Sequence, residues 1–172
     1  ASQIDNRVAI AFEPSYISKS GKCTPCLGRV WLGCAKMAKC GLEISGIGLI
    51  DMDLHTCFHL ETVQTPPTKT LEQVKYTLID WYLHVLRIPQ EILQRLTNYV
   101  VADIYFSKST FVDGVFEMGL HVISRFRDDA YFRYLTAEQP IGKRERPKLY
   151  DVKIAVKYLE EDRFEIINLE NV

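Results

Sequence analysis

Apolar and polar residues along this chain follow two different rhythms, and the change between them falls near residue 70. Residues 7–12 (RVAIAF) form a short run of β-formers that ends at Glu13-Pro14, where proline interrupts regular pairing. A polar stretch with Gly21 follows. Residues 42–51 (LEISGIGLID) and 55–65 (HTCFHLETVQT) alternate as half-buried strands do. Asp53 and Leu54 between them predict a turn, and Pro66-Pro67 stops the second run. This predicts three strands, the last two forming a hairpin.

Helical spacing takes over next. Thr70-Leu71-Glu72-Gln73 has the form of a capping box, and Leu71, Val74, Leu78, Ile79, Tyr82, Val85 and Leu86 follow on one face. Trp81 and the other aromatics read as core. Pro89 ends or kinks this helix and can open the next, which carries Ile92, Leu93 and Leu96. Residues 99–104 (YVVADI) predict a buried strand with an acid near its end. Ser109 can cap a helix running to Met118, with Gly119 as its stop, and residues 121–127 (HVISRFR) predict a further strand. The predicted class is α/β, in the order β-β-β-α-β-α-β, which is what a ribonuclease-H-like mixed sheet requires. Beyond it come a polar, basic loop and two strand-like runs, residues 151–156 and 164–169. The expected division is a partial ribonuclease-H-like core over 1–130, then a basic loop and the start of an inserted β-rich unit over 131–172.

The net charge of -1 gives no overall attraction to nucleic acid, so DNA binding would have to come from local patches. Two exist. Between Pro14 and Leu42 there is no acid, yet Lys19, Lys22, Arg29, Lys36 and Lys39 fall there; Lys143, Arg144, Arg146 and Lys148 make a second run broken only by Glu145. Clustered cations attract phosphate, and solvated loops can carry the same composition. No apolar run reaches the ~18 residues of a membrane span, and no export signal opens the chain, which predicts a cytoplasmic protein. Five cysteines, an odd number, suit reduced thiols. Cys23-Thr24-Pro25-Cys26 with Cys34 and Cys40 could form a four-thiolate zinc site, although the second pair is spaced too widely for a zinc-ribbon knuckle. The four histidines are scattered and read as structural.

Two acids stand at predicted strand ends, Glu13 after the first strand and Asp103 near the end of the fourth. Neighbouring strands would bring both carboxylates to one edge of the sheet. Such a pair repels unless a proton or a cation intervenes, and oxygen ligands suit Mg²⁺ or Mn²⁺. Two such ions can activate a water or a 3′-hydroxyl and stabilise the leaving oxygen, the chemistry of strand cleavage and transfer. An acid at a strand end also serves as a turn or cap residue, and position alone leaves both roles open.

Residues 101–127, VADIYFSKSTFVDGVFEMGLHVISRFR, resemble the second catalytic block of DDE transposases from bacterial insertion sequences, the group with a Tyr-Arg-Glu-Lys signature around its final acid. In that block a strand ends in the second catalytic Asp, here Asp103. An aromatic-Ser segment (Tyr105-Phe106-Ser107), a helix and a strand ending in Arg-x-Arg (Arg125, Arg127) follow. Residues 11–22, AFEPSYISKSGK, resemble the first catalytic block, residues 41–66 the second and third strands, and Pro147-Lys148-Leu149-Tyr150-Asp151 the segment after the basic loop. The resemblance covers nearly the whole chain in order.

It implies a transposase core that cuts and joins double-stranded DNA at mobile-element ends, with Glu13 and Asp103 as catalytic, metal-binding carboxylates and Mg²⁺ or Mn²⁺ as cofactor. It implies DNA contacts from Lys19 and Lys22 beside the first acid, from Arg125 and Arg127, and from Lys143, Arg144, Arg146 and Lys148. A homodimer on paired ends and a bacterial nucleoid location are implied likewise. Solvated loops for the lysines and ion pairs with Asp128 or Asp129 for the arginines are the alternatives. Two departures matter. Glu13 stands where the family has Asp, which lengthens the side chain by one methylene. The final Glu in its signature helix would lie beyond residue 172. The alternative function is therefore a catalytically inactive, degenerate or co-opted DNA-binding module.

Overall fold

Strand β1 (Val8–Ser18) is the axis on which the first part of the chain is assembled. The computed structural model describes residues 7–21, 23–33, 35–126, 130–136 and 149–154. The chain divides into two units, Ala1–Arg127 and Asp128–Val172.

In the first unit β1 pairs antiparallel along its whole length with β3 (Met37–Asp51), from Val8 opposite Asp51 to Ser18 opposite Gly41. On its other side it pairs parallel with β5 (Tyr99–Ala102), which pairs parallel with β6 (His121–Ile123). The far edge of β3 carries β2 (Gly28–Leu32) along residues 37–41 and β4 (Thr56–Gln64) along residues 44–51. The result is a mixed six-stranded sheet in the order β2-β3-β1-β5-β6, with β4 also on β3. The β3–β4 hairpin forms where expected, and the Asp51 carboxylate accepts the Asp53 and Leu54 amides at 3.0 and 2.9 Å to fix the turn.

Several local expectations are corrected. Pro14 does not end β1, which continues to Ser18. β5 stops at Ala102, so beyond Phe12 that side of β1 has no paired strand, and a missing N–H is tolerated on such an edge. The helix expected from Thr70 is two helices. α1 (Thr68–Gln73) starts after Pro67 with no side-chain cap, and the chain then turns through Lys75 at φ 58°. The reciprocal cap forms later, at the start of α2 (Leu78–Arg87): the Thr77 hydroxyl accepts the Asp80 amide at 3.2 Å and the Asp80 carboxylate accepts the Thr77 amide at 2.7 Å. Finally, β6 ends at Ile123, not at residue 127.

α3 (Gln90–Leu96) follows Pro89, and α4 (Ser109–Glu117) ends before Gly119 at φ 71°. Lys108, not Ser109, is the residue that precedes α4, and no side chain caps it. The helices bury Tyr82, Val85, Leu86, Leu93, Phe111 and Val115 against Ile10, Phe12, Ile47, Val100 and Ala102 of the sheet. At the centre Phe12, Tyr82, Phe106 and Phe111 pack ring on ring; the Phe106–Phe111 centroids are 4.6 Å apart. Phe106 closes a single 3-10 turn (Ile104–Phe106) directly after β5. Its burial among those rings fixes the position of Asp103, the residue that opens the turn.

In the second unit β7 (Arg133–Leu135) pairs antiparallel with β8 (Tyr150–Lys153). β7 was not expected, and β8 overlaps the run expected at 151–156. The run at 164–169 lies outside the described residues. No helix among the described residues is long and apolar enough to cross a membrane.

Candidate active site at the end of the sheet

The parallel pairing of β1 with β5 sets Phe12 beside Ala102, and the next residue on each chain is an acid. Asp103 thus leaves the end of β5 beside Glu13, which stays paired with Gly46 of β3 as β1 continues, and both acids are exposed to solvent. Burial of its inner part raises the proton affinity of Glu13 above the ordinary 4.5, and the charge of Asp103 raises it further. That second contribution requires the two carboxylates to lie within Coulombic reach. The ion pairs among the described residues, Arg7 with Asp53 and Arg87 with Glu117, involve neither acid.

Asp103 has a local role as well. Its carboxylate accepts the Ile104 amide and so caps the 3-10 turn. Its carbonyl accepts the Ser124 hydroxyl at 3.0 Å, which ties the ends of β5 and β6 together. Both readings of an acid at a strand end, cap and charge centre, are therefore met in one residue.

Asp103 also borders a cleft of about 670 Å³ whose wall includes Arg29, Glu43, Tyr82, Tyr105 and Phe106. The buried Tyr82 hydroxyl donates to a Glu43 carboxylate oxygen at 2.7 Å. Burial, with the Glu43 charge behind it, pushes the Tyr82 phenol far above its usual range, so it stays a donor. The Lys108 ammonium stands 3.7 Å from the centroid of the Tyr105 ring. None of these five wall residues, nor Lys108, was picked out from sequence as a site residue. Arg29 belongs to the acid-free stretch and Tyr105 to the aromatic-Ser segment, and those were the available signals. Glu43 and Tyr82 meet only through folding.

Of the expected DNA contacts, Lys19 and Arg125 fall among the described residues. Lys19 follows the last residue of β1, so an extended run of ~20 Å, at ~3.3 Å per residue, separates it from Glu13. That corrects the expectation that it sits beside the first acid, and the cause is again that Pro14 does not stop the strand. Arg125 is exposed just beyond β6 and next to Ser124, at the sheet end that carries Asp103. Lys22, Arg127, Lys143, Arg144, Arg146 and Lys148 lie outside the described residues.

Cys23, Cys26, Cys40 and Cys57 are free and exposed. Among the described residues no group of three or more His, Cys, Asp or Glu side chains is arranged to hold a metal. Glu13 and Asp103 supply two carboxylates, a donor set that fits a hard divalent cation keeping several waters. No protein-family model, no curated protein and no solved structure matches the chain.

Proposed function

We propose that this chain is part of the catalytic core of a DDE-type DNA transposase, built on a ribonuclease-H-like sheet. The observation that carries the reading is the juxtaposition of Glu13, within β1, and Asp103, just past the end of its parallel neighbour β5, with no cation of the described residues paired to either. The sheet supports it: with β2 set aside, the order β4-β3-β1-β5-β6 is an antiparallel meander extended on the β1 side by two parallel strands. A bound Mg²⁺ or Mn²⁺ would supply activation of a water or 3′-hydroxyl and stabilisation of the leaving oxygen. The chain's own part is to hold two carboxylates at a fixed spacing. Phe106 does this from below and Ser124 from the β6 side. In this reading the partner is double-stranded DNA, gripped by Arg125, Arg127 and the basic loop, with two copies on paired ends in the cytoplasm.

The test is a Mn²⁺ titration of the chain followed by paramagnetic broadening of the Glu13 and Asp103 signals. Binding in the parent chain that is lost in Asp103→Ala and Glu13→Gln supports the reading. Equal Mn²⁺ binding by Asp103→Ala overturns it. A second reading, DNA binding without catalysis, is favoured by Glu13 itself, because two-metal chemistry tolerates small displacements poorly. Duplex binding that is indifferent to Mn²⁺ and to both substitutions selects it.

A further inference from the structure

The cleft beside Asp103 combines three chemistries. Its aromatic wall includes Tyr105, 41% exposed, and Phe106. Its interior presents Glu43. One Glu43 oxygen takes the Tyr82 hydroxyl, and a carboxylate has about four acceptor positions, so further ones are free for a ligand's N–H groups. Its rim carries Arg29, an exposed cation that no described carboxylate pairs. Its volume lies within the ~300–1,000 Å³ of small-ligand sites. A π-surface, an N–H donor edge and an anion in one molecule describe a nucleotide whose base bears an amino group.

We propose that this cleft holds a single unpaired nucleotide, its base against Tyr105, its amino edge on Glu43 and its phosphate on Arg29. The inference rests on the transposase reading for the source of that nucleotide, an unpaired strand end lying next to Asp103; a free nucleotide offers the same chemistry. Thymine has no exocyclic amino group, and its single N–H lies between two carbonyl oxygens that a carboxylate repels, so the Glu43 acceptor selects adenine, cytosine or guanine over thymine. Lys108 stands over one face of the Tyr105 ring and adds positive charge beside it.

The experiment compares blunt duplex DNA with the same duplex carrying a one-nucleotide 3′ overhang of 2-aminopurine, adenine or thymine. Affinity and 2-aminopurine quenching are read for the parent chain, Tyr105→Ala, Arg29→Gln and Glu43→Gln. Expected are quenching on binding, and a preference for the adenine overhang over blunt DNA of about tenfold, the size of one base–aromatic stack. That preference falls in Tyr105→Ala and Arg29→Gln, and the adenine-over-thymine difference vanishes in Glu43→Gln. Tyr105 and Arg29 are exposed, so circular dichroism of those variants should match the parent. Equal affinity for blunt and overhang DNA, or a preference that survives Tyr105→Ala and Arg29→Gln, overturns the inference and leaves the Mn²⁺ test untouched. Binding of adenosine monophosphate in the cleft, sensitive to the same variants but without DNA binding, upholds the cleft's chemistry and sinks the transposase reading.

Discussion

Substituting Asp103→Asn removes one of two neighbouring like charges while keeping an acceptor to cap the 3-10 turn, since Asn and Asp serve equally as N-caps. Glu13 is held above its ordinary 4.5 first by burial and then by Asp103, so the substitution lowers its titration without restoring it fully. Adjacent strands lie ~4.8 Å apart, and two unit charges ~6 Å apart interact by ~0.7 kcal/mol in water and ~3 kcal/mol at an effective dielectric of ~20. Both side chains are exposed, so screening holds the effect to about 0.5–1 kcal/mol. The sign follows from proton linkage. Folded Glu13 binds its proton more tightly than unfolded Glu13, so below 4.5 both states are protonated and nothing is lost. As pH rises from 4.5 through the folded value, the unfolded chain releases its proton first and stability falls. Above that window the full penalty persists. In metal-free buffer at neutral pH, urea unfolding should therefore show Asp103→Asn more stable than the parent by about 0.5–1 kcal/mol. The gain should shrink as the pH is lowered towards 4.5. Carboxyl NMR of Glu13 reads the same coupling directly. A Glu13 titration unmoved by the substitution, or a variant less stable than the parent at every pH, would refute the reasoning.

Further expectations concern what holds the site. Gly41→Ala drives a Cβ into the Tyr16 ring and within 2.5 Å of the Ile17 carbonyl, so urea melts should show a loss of about 1–3 kcal/mol. Tyr82→Phe leaves the part-buried Glu43 carboxylate without its donor and should cost about 1–2 kcal/mol by the same assay; a neutral result would mean water replaces the phenol. Phe111→Ala opens a cavity beneath Phe12 and Phe106 and should cost about 3–5 kcal/mol, loosening Asp103 enough to broaden its NMR signal. Thr77→Ala removes the cap that starts α2 and should cost about 1 kcal/mol in thermal or urea unfolding.

Much of the strand and helix content was legible locally. Alternation in residues 42–51 and 55–65 required a hairpin, which forms although β4 is exposed along most of its length instead of half-buried, and the spacing of Tyr82, Val85 and Leu86 required a helix with one apolar face. Where local signals misled, a neighbour's presence or absence decided the outcome. Pro14 looked like a stop, but no strand pairs with β1 on the β5 side beyond Phe12, so its missing N–H is tolerated there. Thr70-Leu71-Glu72-Gln73 had the form of a cap, yet the functioning cap is Thr77 with Asp80, because the chain turns at Lys75 between two short helices. β2 is five residues long with no clear alternation, and its partner β3 makes it a strand.

By itself, then, the sequence determined the kinds of element, the residues fit for a core and the two acids worth watching, because periodicity and side-chain chemistry act over a few residues. Tertiary structure alone decided that β5 docks parallel on β1 and sets Asp103 beside Glu13. It also decided that Lys19 is carried away from them and that Glu43, Tyr82 and Arg29 meet across one cleft. These are contacts between positions far apart in the chain. They form only when burial of Phe12, Phe106 and Phe111 together repays the entropy of closing the loops between them.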